Sequence, residues 1–133
     1  MDSETRTDLM TAMRGEAFAY AKYLLFAAQA RRQGLPEVAD LFERTAQVEY
    51  LEHFAEEAEL YGLVSDVAGN LRDAIVGEAV EVETMYRAFA EHAAAVGDQA
   101  AAARFVEIRD DEAAHQQAFE EALQQVEAEP VHA

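Results

Sequence analysis

Apolar side chains return every three or four positions along this chain, the period of one face of an α-helix. Leu9, Met13, Tyr20, Tyr23 and Ala27 form one such stripe, and Phe42, Ala46 and Leu60 form a second. Leu71, Ile75, Val82, Met85 and Phe89 make a third, and Phe105, Ile108, Phe119 and Leu123 a fourth. Helix breakers fall between them: Gly34 with Pro36, the stretch from Gly62 to Asn70, and Gly97. The pattern predicts a first helix from about Thr7 to Gln33 and a second from Pro36 to near Tyr61. A third would run from Asn70, or from a Ser65 cap, to just before Gly97, and a fourth from an Asp98 cap to just before Pro130. At 1.5 Å per residue each helix is roughly 40 Å long. The fold class is therefore all-α, a four-helix bundle made of two helical hairpins at about 7–61 and 66–127, with a tail at 128–133. A single domain spanning 1–133 suits this length.

The two hairpins resemble each other. Tyr23/Tyr86, Phe26/Phe89, Gly34/Gly97, Phe42/Phe105, Glu49/Glu112 and Leu60/Leu123 recur 63 residues apart, whereas Gly15-Glu16 recurs as Gly77-Glu78 after 62. One half thus carries an extra residue between its Gly-Glu and its Tyr. A π-bulge in the first or the third helix is the expected way to absorb it.

Acidic residues interrupt the apolar stripes. Glu16, Glu49, Glu78 and Glu112 each lie in line with the apolar positions of their own helix, where an isolated carboxylate is costly. Glu52 and His53, Glu81, and His115 extend the set by about one turn. No Lys or Arg stands regularly on these stripes to compensate, so the pattern calls for bound metal, with a metal-free carboxylate network or helical interaction module as the alternative. Glu from two helices together with Glu-x-x-His from the others is the ligand pattern of di-iron carboxylate bundles, and oxygen-rich sites with imidazole suit iron or manganese. At the second helix the ligand is open: the repeat aligns Glu52 with His115 and favours it slightly, but on a 100° wheel His53 is roughly 40° from Glu49 and Glu52 roughly 60°. Glu129-Pro130-Val131-His132 has the same spacing but follows the last helix and reads as chance. His92 reads as a cation near the end of the third helix, facing its dipole.

Composition narrows the partners. Twenty-seven Asp and Glu against ten Lys and Arg give a formal charge of −17, which disfavours nucleic acid and anionic membrane surfaces and attracts cations. No apolar run approaches the roughly 20 residues of a membrane span. The start of the chain lacks a signal-peptide pattern, so the cytoplasm is the expected compartment. The absence of cysteine excludes disulfides, thiolate-held zinc and iron–sulfur clusters.

Gly77-Glu78-Ala79-Val80-Glu81 followed by Thr84-Met85-Tyr86, Gly15-Glu16 with Tyr23 seven residues on, and Glu112-x-x-His115 together resemble the rubrerythrin family of ferritin-like di-iron proteins. The likeness spans about residues 5–125. It implies Glu16, Glu49, Glu78 and Glu112 as terminal or bridging ligands, Glu81 and His115 as further ligands, and Tyr23 and Tyr86 as hydrogen-bond donors just beyond them. It also implies two Fe ions per site, with Mn as an alternative, and a peroxidase that reduces hydrogen peroxide; a ferroxidase or iron-handling role using oxygen is the runner-up. Rubrerythrins commonly carry a cysteine-bearing rubredoxin domain. Here electrons are expected from an external donor such as a rubredoxin-like protein. Where the family has His three residues after the Glu of the second helix, this chain has Glu52, followed by His53. The link between the second and third helices is short for a bundle closed within one chain, so a homodimer with exchanged hairpins is expected, as in the single-domain relative sulerythrin.

Overall fold

The computed structural model describes residues 1–129; Pro130, Val131 and His132, with the Glu-x-x-His of the tail, lie outside the described residues. Four helices form, and no strand is present among the described residues. Contacts divide the chain into two compact units, Met1–Val64 and Ser65–Ala133, at the link between the predicted hairpins.

In the first unit, the first helix spans Ser3–Arg32. It starts four residues earlier than the apolar pattern indicates, because the Asp2 carboxylate accepts from the N–H groups of Glu4 (3.1 Å) and Thr5 (3.2 Å), which otherwise lack partners. Gly34 closes it with φ +75°, a conformation that costs an L side chain roughly 1–2 kcal/mol. Leu35 N–H then reaches the Ala30 carbonyl (2.9 Å) and Gly34 N–H that of Arg31 (3.0 Å). The second helix is α-helical over Pro36–Val48, π-helical over Glu49–Phe54 and α-helical again over Ala55–Tyr61. Ala27, Ala30 and Ala39 are buried where the two helices cross, with Phe42 against them. Small side chains at this crossing let the backbones approach closely. Tyr23, Phe26 and Phe42 pack as a ring triad with centroids 5.4–6.2 Å apart.

The second unit repeats this plan 63 residues on. Its first helix is α-helical over Val67–Val80, π-helical over Glu81–Met85 and α-helical over Tyr86–Ala95; its second spans Gln99–Ala128. Ala93 and Ala102 occupy the places of Ala30 and Ala39 and are likewise buried. Tyr86, Phe89 and Phe105 form the matching triad, 5.5–6.1 Å apart. The start of this unit is set by Asp66, whose carboxylate accepts from Gly69 N–H at 2.7 Å. A Cβ on Gly69 would stand 2.3 Å from Ser65 Oγ. Asp98 occupies the cap position of the last helix, but its side chain makes no capping hydrogen bond, contrary to the expectation.

The extra residue of the second half is absorbed by the π turn at Glu81–Met85, while the first helix stays α-helical throughout. The π turn at Glu49–Phe54 was not legible from the repeat. No helix among the described residues is long and apolar enough to cross a membrane.

Candidate metal centre

Each unit gathers two carboxylates and one imidazole on facing helices. In the first, Glu16 of the first helix meets Glu49 and His53 of the second: His53 Nδ1 lies 3.2 Å from Glu49 Oε1 and 3.6 Å from Glu16 Oε2. In the second, His115 Nδ1 lies 3.6 Å from Glu112 Oε2 and 3.8 Å from Glu78 Oε1. Within either group, one donor atom per residue can be chosen so that all lie within 4.8 Å of one another.

The π turn explains why the groups match although their sequences do not. Glu112 and His115 are three residues apart on an α-helix; Glu49 and His53 are four apart. A π turn holds more residues per revolution than an α turn, so it carries the fourth residue closer to the first and the third further round. His53 thereby reaches Glu16 and Glu49, and Glu52, which the repeat slightly favours, is exposed and joins neither group.

The carboxylates are half-buried by their own hairpin: Glu16, Glu49, Glu78 and Glu112 retain 24, 19, 17 and 19% of their side-chain exposure. No charged residue is fully buried among the described residues. Individual oxygens are nevertheless sealed. Glu16 Oε2, Glu78 Oε2 and Glu57 Oε1 are out of contact with solvent and have no hydrogen-bond partner. Sequence reasoning missed Glu57; its signal is a spacing of four from His53 and eight from Glu49 on one helix face.

Crowding of like charges moves the protons. A hydrogen bond shared with Glu112, then desolvation and the Glu112 charge, push Glu78 up to about 7. Glu112, the accepting partner, is held below its ordinary value by that same bond. Glu16 is raised by its hydrogen bond with Glu49 and by desolvation, and the charges of Glu49 and Glu57 add to the rise. Glu81, at the start of the second π turn, is raised by desolvation and by a hydrogen bond with Glu112, which places it beside the second group. Arg109 Nε donates to the Val82 carbonyl inside that turn at 3.0 Å. Tyr23 and Tyr86 sit in the aromatic triads.

Oxygen-rich donors with an imidazole, sealed oxygens without partners, and carboxyls raised by shared hydrogen bonds, desolvation and like charge are what a divalent cation would relieve. The residues fit iron or manganese, and no thiolate is present to favour zinc.

The family model described as Rubrerythrin matches residues 8–50 and 47–123. The rubrerythrin of Porphyromonas gingivalis is 35% identical over 94% of this chain and 68% of its own length. Nigerythrin of Nitratidesulfovibrio vulgaris is 31% identical over 93% of this chain and 68% of its own. A nigerythrin structure described as fully reduced and all ferrous aligns over 98% of this chain and 71% of its own, at 30% identity and a TM-score of 0.49.

Proposed function

Because the chain belongs to the rubrerythrin family, we propose that it is a non-haem di-iron peroxidase of the cytoplasm, reducing hydrogen peroxide to two waters with two protons and two electrons from an external donor. One observation carries this reading: two matching Glu-Glu-His groups, each with a sealed, unpartnered carboxylate oxygen. Glu16, Glu49 and His53 hold one part of the donor set and Glu78, Glu112 and His115 the other, with Glu81 beside the latter. Two irons, when bound, supply the pair of electrons that cleavage of an O–O bond takes. Around them the chain positions carboxylates on opposed helices and keeps the π turns where ligand spacing needs an extra residue. The proton that Glu78 holds below about pH 7 leaves as metal enters. Tyr23 and Tyr86 stand one helix turn or more beyond the ligands, as donors that orient them.

This reading divides the donor set between two hairpins, and the length of the link supports one way of pairing them. If the second and third helices run parallel with their ligands level, the path from His53 to Tyr61 and from Val67 to Glu78 takes about 28 Å of axial travel. Six Cα steps from Tyr61 to Val67 span at most about 22 Å. We therefore assign the complete centre to a homodimer in which the first hairpin of one chain pairs with the second hairpin of the other.

Loading the protein anaerobically with Fe²⁺, then mixing it rapidly with peroxide or with oxygen, tests the activity. Multiple peroxide turnovers with a reductant, faster than reaction with oxygen, are expected. The −17 charge favours one other reading, a ferroxidase that draws in Fe²⁺. Oxygen-driven oxidation with stoichiometric iron uptake and no peroxide turnover would replace the first reading with the second, and failure to bind metal would remove both.

A further inference from the structure

Glu57 is the one sealed carboxylate that neither the repeat nor the ligand pattern accounts for. It follows His53 by four residues, so both side chains lie on one face of the second helix one turn apart. Its Oε1 is closed off from solvent and has no hydrogen-bond partner, and among the described residues it pairs with no Lys, Arg or His. Glu56 beside it is exposed. Glu57 is also near enough to Glu16 for its charge to raise that carboxyl.

The second hairpin shows what this position holds when packing alone matters. Past the π turn at Glu49–Phe54, which gives the first hairpin one residue more, His53 and His115 are related by 62 residues and not 63; the same step carries Glu57 to Phe119, a half-buried ring, and sets Tyr61, in place of Leu60, against Leu123. A carboxylate where the duplicate has an aromatic ring forfeits apolar burial and leaves one oxygen sealed without a partner, a cost that a cation, a donor or a proton can offset. The cation-attracting cluster in this hairpin is Glu16, Glu49 and His53, the next turn down; Glu57 stands outside the set of donor atoms within 4.8 Å of one another and would join it by closing on a bound cation.

We propose that Glu57 is a further oxygen donor to the cation held by Glu16, Glu49 and His53. This rests on the metal reading above. The first hairpin then offers three carboxylates and one imidazole, the same inventory that Glu78, Glu81, Glu112 and His115 give the second. The two halves reach it by different routes: the second hairpin takes its third carboxylate from the π turn of the Glu78 helix, the first from the helix that carries the histidine. The site is thus more acidic than the ligand pattern alone indicates, which favours hard, oxygen-seeking cations.

Cobalt(II) is the probe, because its visible absorption reports coordination independently of turnover. Full-length protein, Glu57→Gln, Glu57→Phe and the neighbouring control Glu56→Gln are titrated with Co²⁺, and their melting is followed with and without the metal. Glu57→Gln is expected to weaken Co²⁺ binding at one site by about tenfold or more and to change the visible band, while Glu56→Gln matches the parent. Glu57→Phe is expected to raise the melting temperature of the metal-free protein and to reduce the further rise that Co²⁺ gives. Parent-like affinity and spectrum in both Glu57 variants would overturn the proposal and leave the metal centre standing. Absence of Co²⁺ binding by the parent protein would overturn the metal reading together with it.

Discussion

A proton held between Glu78 and Glu112 makes the metal-free second hairpin sensitive to pH. Glu78 titrates near 7 in the folded chain and at its ordinary value of 4.5 when unfolded. Between these values the folded state binds more protons, so stability falls as pH rises through the window and levels off above it. Glu16 and Glu81 shift in the same direction and add to the fall. Glu112 shifts the other way, but its contribution lies below 4.5 and does not cancel theirs. Thermal melts of the chelator-treated protein should therefore show a Tm that drops from about pH 5 to about pH 7.5, and Glu78→Gln should flatten the slope. Metal competes with these protons, so Co²⁺ affinity should increase across the same range. A second test at this scale separates His53 from Glu52: His53→Ala should weaken metal binding by about tenfold or more, whereas Glu52→Gln, at an exposed position, should leave the titration unchanged.

At the scale of the element, the two π turns adjust register. Each adds a residue without displacing the helix beyond it: past Glu81–Met85 the relation between the halves grows from 62 to 63 residues, which the aromatic triads and alanine crossings keep, and past Glu49–Phe54 it returns to 62, as in His53 and His115. Deleting Leu51, which is 59% exposed, should convert Glu49–Phe54 to α-helix and leave Glu49 and His53 separated by two residues, the spacing of Glu112 and His115. Metal stoichiometry should survive this deletion, as measured by Co²⁺ titration, because the imidazole stays on the face that meets Glu16. The crossings are less forgiving. Ala39 is completely buried between the first two helices, so Ala39→Leu should cost roughly 1–3 kcal/mol in urea unfolding by forcing them apart.

For the whole molecule, the link at 62–66 is the controlling feature. Gly62, at φ +75°, ends the second helix and Asp66 caps the third, and the proposed exchange of hairpins rests on the shortness of the link between them. Light scattering of the metal-loaded protein should give a dimer. Inserting about ten flexible Gly/Ser residues after Leu63 should shift it toward a metal-loaded monomer, since roughly 16–19 Å of root-mean-square reach is added. A parent protein that is monomeric at micromolar concentration with full metal occupancy would refute the exchange of hairpins.

Four helices, their turns at Gly34 and Gly97, the duplication, and an inward carboxylate on each helix were all legible in the sequence, because period, breakers and repeats are local properties. So was the extra residue in one half, though not which helix would hold it. The apolar stripe marked Glu16, Glu49, Glu78 and Glu112 for the same reason. Which of Glu52 and His53 stands beside Glu16 and Glu49 was not legible, since it depends on whether the backbone turns as α or π over Glu49–Phe54, and neither residue type nor spacing fixes that. Glu57 was hidden likewise: among nineteen glutamates, only packing against the facing helix shows which oxygens are sealed from water. The sequence by itself determined the helices and the chemistry they could carry. Tertiary structure decided which side chains meet, because burial and hydrogen-bond partners arise only when one helix face is pressed against another.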